Sequence, residues 1–293
     1  MDQSPLITVG LPLALFVIMV GIGLTLTADD FRREARAPRG VVVGTLAQLL
    51  LMPLLGFAVA LLLDLPAALA VGLVVAASCP GGSTSNVIAH LARANVALSI
   101  VLTVLASLGT ILTLPFFVGR ALDRWGSEGD LADVAVSLPL DRTLGLLVGV
   151  VLLPVAIGMA VRRRSRDRAL RLEKAVSAFG GLVLALLIVG IAVSVRDRLG
   201  ELLAAAGPAA LLLNAGGLAV GWLVATGARL PVADRLTTAV ELGVKNTTLG
   251  LLIAITVLGS DEIAVPSAVY GLLMYVSAGL LIAYGRRRSR VPV

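Results

Sequence analysis

Ser78-Cys79-Pro80-Gly81-Gly82-Ser83-Thr84-Ser85-Asn86 and Glu241-Leu242-Gly243-Val244-Lys245-Asn246-Thr247-Thr248 each interrupt a long apolar stretch of the chain. Pro80 has no amide hydrogen and its ring collides with the carbonyl of Ala76, while Gly81 and Gly82 accept dihedrals that other residues avoid. Glu241 and Lys245 place charge inside the other stretch, where each costs about 2.5–3.5 kcal/mol on insertion scales, so a working role is the default reading. Both stretches are therefore expected to be broken helices, non-helical over 80–86 and 242–246 and meeting near the middle of a membrane. The freed backbone groups must then face protein, water or an ion. Simpler readings of the same residues are a proline kink repaired by Ser and Thr, and a structural Glu241–Lys245 ion pair at i, i+4.

Working outward, the rest of the chain has the composition of a membrane protein. It has 293 residues, 58% of them hydrophobic, with a mean hydropathy of +1.00, against roughly 45–50% apolar in soluble domains. Apolar runs long enough to cross a hydrocarbon core recur from end to end, over 6–26, 40–63, 66–91, 96–119, 143–161, 176–195, 203–227, 236–259 and 263–285. Their length and continuity fit helices and not alternating barrel strands. The expected fold is all-α, an integral membrane protein with nine transmembrane helices. Met1 to Pro5 holds Asp2 and no Lys or Arg, unlike a cleavable secretory signal, so the first span is read as a permanent helix. The polar connections at 122–142 and 162–174 are too short for a globular unit, which leaves a single membrane domain over 1–293.

Basic residues orient it. Arg32, Arg33, Arg36, Arg39, Arg93, Arg229, Arg235, the run from Arg162 to Lys174 and the run from Arg286 to Arg290 fall on one side; Arg120, Arg124, Arg142, Arg196 and Arg198 fall on the other. The positive-inside rule then puts the C-terminus in the cytoplasm and the N-terminus outside, in a cell inner membrane. The arginines read as topology markers facing anionic lipid, not as a nucleic-acid surface. One cysteine, Cys79, excludes an intramolecular disulfide, and one histidine, His90, cannot make a zinc site. No metal motif, nucleophile elbow or phosphate loop suggests an enzyme or a bound cofactor.

The positions of the two breaks suggest an inverted repeat, with spans one to four matching six to nine. Repeat one covers 1–120 and lacks its first helix; repeat two covers 141–293. Discontinuous helices meeting at the midplane of such repeats are a recurrent transporter design.

The stretch 78–86, followed by Val96-Ala97-Leu98-Ser99-Ile100-Val101-Leu102-Thr103, and later Glu241 to Asn246, resembles the bile acid:sodium symporter family. Gly21-Ile22-Gly23-Leu24-Thr25-Leu26 and the region of Gln48 resemble it too. The resemblance implies panel and core domains with two crossed discontinuous helices, alternating access, and sodium as the coupling ion. It implies a first sodium site at Ser85, Asn86, Ser99, Thr103 and Glu241. Chemistry agrees, since a hard cation prefers such oxygens and Ser99 and Thr103 share a helix face; the plain alternative is that these hydroxyls bond their own helix carbonyls. A second site is implied at Gln48 and Glu241, with backbone oxygens near Leu242 and Val244. There the chain departs from the family, with Lys245 where glutamine is usual.

A fixed ammonium and a sodium ion are poor neighbours, so either Lys245 substitutes for the second ion, which is preferred, or it exchanges a proton and gives proton coupling. The implied substrate is a small organic anion, bile acid-like or a smaller carboxylate or sulfonate, held near Ser83, Asn246 and Thr247 where helix ends meet negative charge. Met274 and Tyr275 replace a histidine and an asparagine of some relatives, which favours the smaller anion equally. The expected partners are this anion, sodium, protons in the alternative, and membrane lipid. A cation/proton antiporter remains a competing class. An anion channel would need a more polar pore.

Overall fold

The computed structural model describes residues 10–25, 27, 32, 34, 36, 38–127, 144–145 and 147–288. The expected ends of the first span at Leu6 and Leu26, the start of the fifth at Thr143, the boundary of repeat two, and Arg33, Arg142 and Arg290 lie outside the described residues.

Among the described residues the chain is helical, and the one bridge between extended residues joins Gly81 to Lys245. In chain order the helices are α1 (Leu11–Thr25), α2 (Pro38–Leu62), α3 (Ala67–Ser78), α4 (Ser83–Leu91), α5 (Val96–Trp125), α6 (Leu153–Arg164), α7 (Arg166–Ser194), α8 (Leu199–Gly227), α9 (Val232–Gly243), α10 (Thr247–Leu252) and α11 (Asp261–Arg288). Five of them, α2, α5, α7, α8 and α11, are long and apolar enough to cross a membrane by themselves. Shorter apolar helices, α1, α3 and α10 with its continuation to Val257, complete the apolar part.

Wide π turns at Ala47–Leu51 and Val148–Leu152 precede Pro53 and Pro154. A proline gives the preceding turn no amide hydrogen and crowds its carbonyl, and an i→i+5 turn, such as Met52 N–H to the Ala47 carbonyl, absorbs both effects. Gln48 sits inside the first of these turns. The polar stretch 162–174, expected to be a connection, is helical except at Ser165. The Ser165 hydroxyl caps α7 by accepting from the Arg168 amide, and Asp167 lies in the first turn, where negative charge meets the helix dipole.

Close backbone approach sets the packing. α1 and α6 touch at Gly23 and Gly158, where an added Cβ would lie 2.2 Å from the Val155 and Val20 carbonyls respectively. Such small-residue contacts are how helices associate where no hydrophobic drive separates them from lipid.

Two parts of the chain share a local plan. α2 is followed by Asp64 in the left-handed region, with Leu65 buried and Pro66 at the N-cap of α3; α8 is followed by Arg229 in the same region, with Leu230 buried and Pro231 at the N-cap of α9. The paired bonds Asp64 N–H to Leu61 O and Leu65 N–H to Ala60 O recur as Arg229 N–H to Thr226 O and Leu230 N–H to Ala225 O. α3 and α9 are each 12 residues long and each ends at a break.

Candidate functional site

The breaks are shorter than the expected 80–86 and 242–246. The helix ends at Ser78 and resumes at Ser83, so Ser83 to Asn86 form the first turn of α4; α9 keeps Leu242 and Gly243 and the chain is open only from Val244 to Asn246. At the second break capping accounts for the restart, since the Asn246 side chain accepts from the Leu249 amide at 3.2 Å. α4 restarts from an extended Gly82 without a side-chain cap, the Gly82 carbonyl taking the Ser85 amide at 3.0 Å and the Ser85 hydroxyl at 2.6 Å. The breaks do meet. Gly82 N–H donates to the Val244 carbonyl at 3.4 Å, and Asn246 N–H to the Pro80 carbonyl at 2.8 Å, so each supplies part of the backbone partners the other lost.

Beside this junction, Ser85, Asn86, Ser99, Thr103 and Glu241 come together, all buried. Ser85 Oγ and Ser99 Oγ each donate to Glu241 Oε1 at 2.5 Å, and Thr103 Oγ1 donates to Oε2 at 2.9 Å. Asn86 Oδ1 lies 2.9 Å from Ser99 Oγ and 3.5 Å from Thr103 Oγ1. Thr103 also reaches its own helix carbonyl, Ser99 O, at 3.0 Å, so the plain reading of that hydroxyl and the cluster reading coexist. Each hydroxyl has one proton for more than one acceptor. The group is thus rich in oxygen and poor in hydrogen, a donor set suited to a hard cation.

α5 and α9 are held in register by residues that attracted no notice in the sequence. Asn95 caps α5 by accepting from the Leu98 amide at 3.1 Å, and its own amide donates to Asp234 in the first turn of α9 at 3.0 Å. Thr237 Oγ1 donates to the Asn95 carbonyl at 3.0 Å. An asparagine directly before an apolar run was the readable signal.

Gln48 and Glu241 both face Gly81. A Cβ there would lie 2.3 Å from Glu241 Oε2 and 3.4 Å from Gln48 Nε2. Both amide atoms of Gln48 are buried without a hydrogen-bond partner. Among the described residues, Lys245 and Glu241 form no direct ion pair. Lys245, 1% exposed, instead donates from Nζ to the Cys79 carbonyl at 3.1 Å, at the open end of α3. Helix C-termini carry partial negative charge, and a cation is favoured there. This corrects the i, i+4 ion-pair reading, because α9 stops at Gly243 and the helical spacing does not continue to Lys245.

Ser83, Asn246 and Thr247 line a narrow cleft of about 40 Å³ with Thr84, Lys245, Ser177 of α7, Met274 and Tyr275. Asn246 Nδ2 and Thr247 Oγ1 are buried there without hydrogen-bond partners. Ile18, Val176 and Leu184 give the opposite wall an apolar lining. Thr84 and Ser177 were missed in the sequence, where nothing in their own stretches sets them apart from the other hydroxyl residues of the apolar spans.

Comparison with known proteins identifies the chain's relatives. It is 33% identical over 292 residues to a probable sodium/metabolite cotransporter, BASS2, chloroplastic, of Oryza sativa subsp. japonica, and covers 65% of that protein's length, just under two thirds. It is 33% identical over 278 residues to the uncharacterized sodium-dependent transporter YocS of Bacillus subtilis (strain 168), covering 94% of this chain and 82% of that protein. To the ileal sodium/bile acid cotransporter of Homo sapiens it is 27% identical over 304 residues, covering 99% and 84%. These relatives are named as transporters, not enzymes. The model of the sodium bile acid symporter family matches residues 12–202, and with its long apolar helices the chain is an integral membrane protein belonging to that family.

Proposed function

We propose that the chain couples sodium to the symport of a small organic anion by alternating access, with Lys245 in the place of a second sodium. The observation that carries this reading is the convergence of Glu241, Asn86, Ser85, Ser99 and Thr103 on one buried spot beside two abutting helix breaks. The single carboxylate matches the single charge of sodium. Rotating each hydroxyl proton outward offers a lone pair to the ion. Gln48, with both amide atoms unpartnered, and the ammonium of Lys245 would frame the former second position.

The anion would lie in the adjacent cleft. Ser83 starts α4 and Thr247 starts α10, so helix N-termini and the unpartnered Asn246 amide face it. The apolar far wall suits a carboxylate or sulfonate with a short hydrocarbon body. In the membrane the chain makes nine crossings, with α3–α4 and α9–α10 as two broken ones meeting near the midplane. The N-terminus is outside and the C-terminus in the cytoplasm of a cell inner membrane. The matching plans of α2–α3 and α8–α9 support two inverted repeats, and the contact of α1 with α6 and α7 supports a panel that rocks against the core.

The test is uptake into proteoliposomes across a panel of radiolabelled bile acids and smaller carboxylates and sulfonates, with sodium and proton gradients imposed separately. Sodium-driven accumulation of at least one anion is expected. Accumulation driven by protons alone would assign the chain to proton coupling, and ion exchange with no organic substrate to an antiporter; either refutes the reading.

A further inference from the structure

The junction has two open helix ends, and each is closed by a buried donor from outside its own helix. The reciprocal bonds Gly82 to Val244 and Asn246 to Pro80 relate the two breaks by a local twofold axis. Under it the Cys79 carbonyl corresponds to the Gly243 carbonyl. Cys79 O receives Lys245 Nζ. Gly243 O receives Asn214 Nδ2 from α8 and the Tyr270 hydroxyl from α11, both at 2.8 Å, and those two side chains are themselves 3.4 Å apart. Tyr270 is fully buried and Asn214 nearly so.

We infer that Asn214 and Tyr270 are positioning residues that set the affinity of the cation site by fixing the last turn of the Glu241 helix. Neither touches the oxygen cluster. Gly243, however, stands two residues after Glu241 and is the last residue of α9, whose final intrahelical bond runs from Val244 N–H to Val240 O. The rest of that turn is pressed against α8, since a Cβ on Gly243 would meet Leu218 at 2.2 Å and one on Gly217 would lie 3.0 Å from the Leu242 carbonyl. A buried carbonyl stripped of both donors must find another partner. The turn would rotate to do so and carry the Glu241 carboxylate away from Ser85, Ser99 and Thr103.

This inference rests on the sodium reading of the cluster. The experiment measures uptake by the parent, Tyr270→Phe, Asn214→Leu and the double variant, varying sodium at saturating anion and anion at saturating sodium. Each single variant is expected to raise the sodium half-saturation concentration about two- to tenfold, the effect of one hydrogen bond. The double variant should exceed the product of the two, because the last donor leaves the carbonyl bare. The KM for the anion at saturating sodium should stay within about twofold of the parent value, which a general loss of fold would not spare. A double variant with the parent's sodium dependence overturns the inference while leaving the sodium reading intact. Should that variant fail to reach the membrane, an unshifted sodium half-saturation in Tyr270→Phe overturns it equally. A parent indifferent to sodium overturns both.

Discussion

Lys245→Gln is the substitution that bears most directly on how many ions are coupled. Lys245 is buried with its ammonium on the Cys79 carbonyl, one residue beyond Val244 and close to where Gln48 and Glu241 converge on Gly81. Two unit positive charges about 4 Å apart repel by about 4 kcal/mol at an effective dielectric of 20. At 1.36 kcal/mol per tenfold, that weakens a sodium ion beside Lys245 by roughly a thousandfold. The parent should therefore respond to sodium with a Hill coefficient of about one, and Lys245→Gln, which removes the charge and supplies an amide oxygen, should move it toward about two. Lys245→Met separates the two effects, because it removes the charge without supplying an oxygen and should leave the coefficient near the parent's. The assay is initial uptake against sodium concentration in proteoliposomes, repeated with a pH gradient and no sodium. Unchanged coupling in the glutamine variant under both gradients would refute the ion-replacement argument and leave Lys245 as a counter-charge for the α3 end.

Glu241→Gln should abolish sodium-driven uptake while the protein still inserts. Removing one partner of a buried charge pair costs about 3–5 kcal/mol, or roughly 10²- to 10³-fold and more in sodium affinity; a parent-like sodium half-saturation would exclude the carboxylate from the site. Gly81→Ala would put a methyl 2.3 Å from Glu241 Oε2, so the carboxylate must move off its hydroxyl partners. Sodium-dependent uptake should fall at least about tenfold, as for the loss of one or more hydrogen bonds to a charged group, and uptake equal to the parent's would contradict the placement of Glu241.

The two breaks could be read from the sequence because they are carried by residue types that apolar helices rarely tolerate, whereas the grouping of Ser85, Asn86, Ser99, Thr103 and Glu241 came from the family resemblance. Pro80 with Gly81 and Gly82 located one break, Glu241 the other, and the hydroxyls of Ser99 and Thr103 lay on one helical face. What escaped was set by partners distant in sequence. Helical spacing offered Glu241 as one alternative partner for Lys245, but the helix stops at Gly243, and the side chain reaches a carbonyl more than 150 residues away in sequence. Asn214 and Tyr270 belong to no pattern, being single polar groups in apolar helices, and only the orphan carbonyl they meet gives them meaning. The limits of the breaks were misplaced for a local reason, since Asn246 caps α10 at once and the extended Gly82 leads directly into α4, which cuts both open segments short. The shared Leu-Pro entry into α3 and α9 is two residues long, too brief to register as a repeat until both copies are seen following the same left-handed turn.

The ammonium on the α3 end also fixes how the transporter would feel the membrane potential. With Glu241 and Lys245 both charged, the empty junction carries no net charge. Loaded with one sodium ion and one monovalent anion, it again carries none. Under the proposed coupling of one sodium ion to one monovalent anion, neither the loaded nor the returning movement would displace net charge across the membrane, so the cycle would be electroneutral. Such a cycle would forgo the roughly 2.3 kcal/mol per 100 mV that each extra translocated cation would draw from the membrane potential. Accumulation would follow the sodium concentration ratio alone, and a potassium diffusion potential imposed with an ionophore would leave the uptake rate where it was.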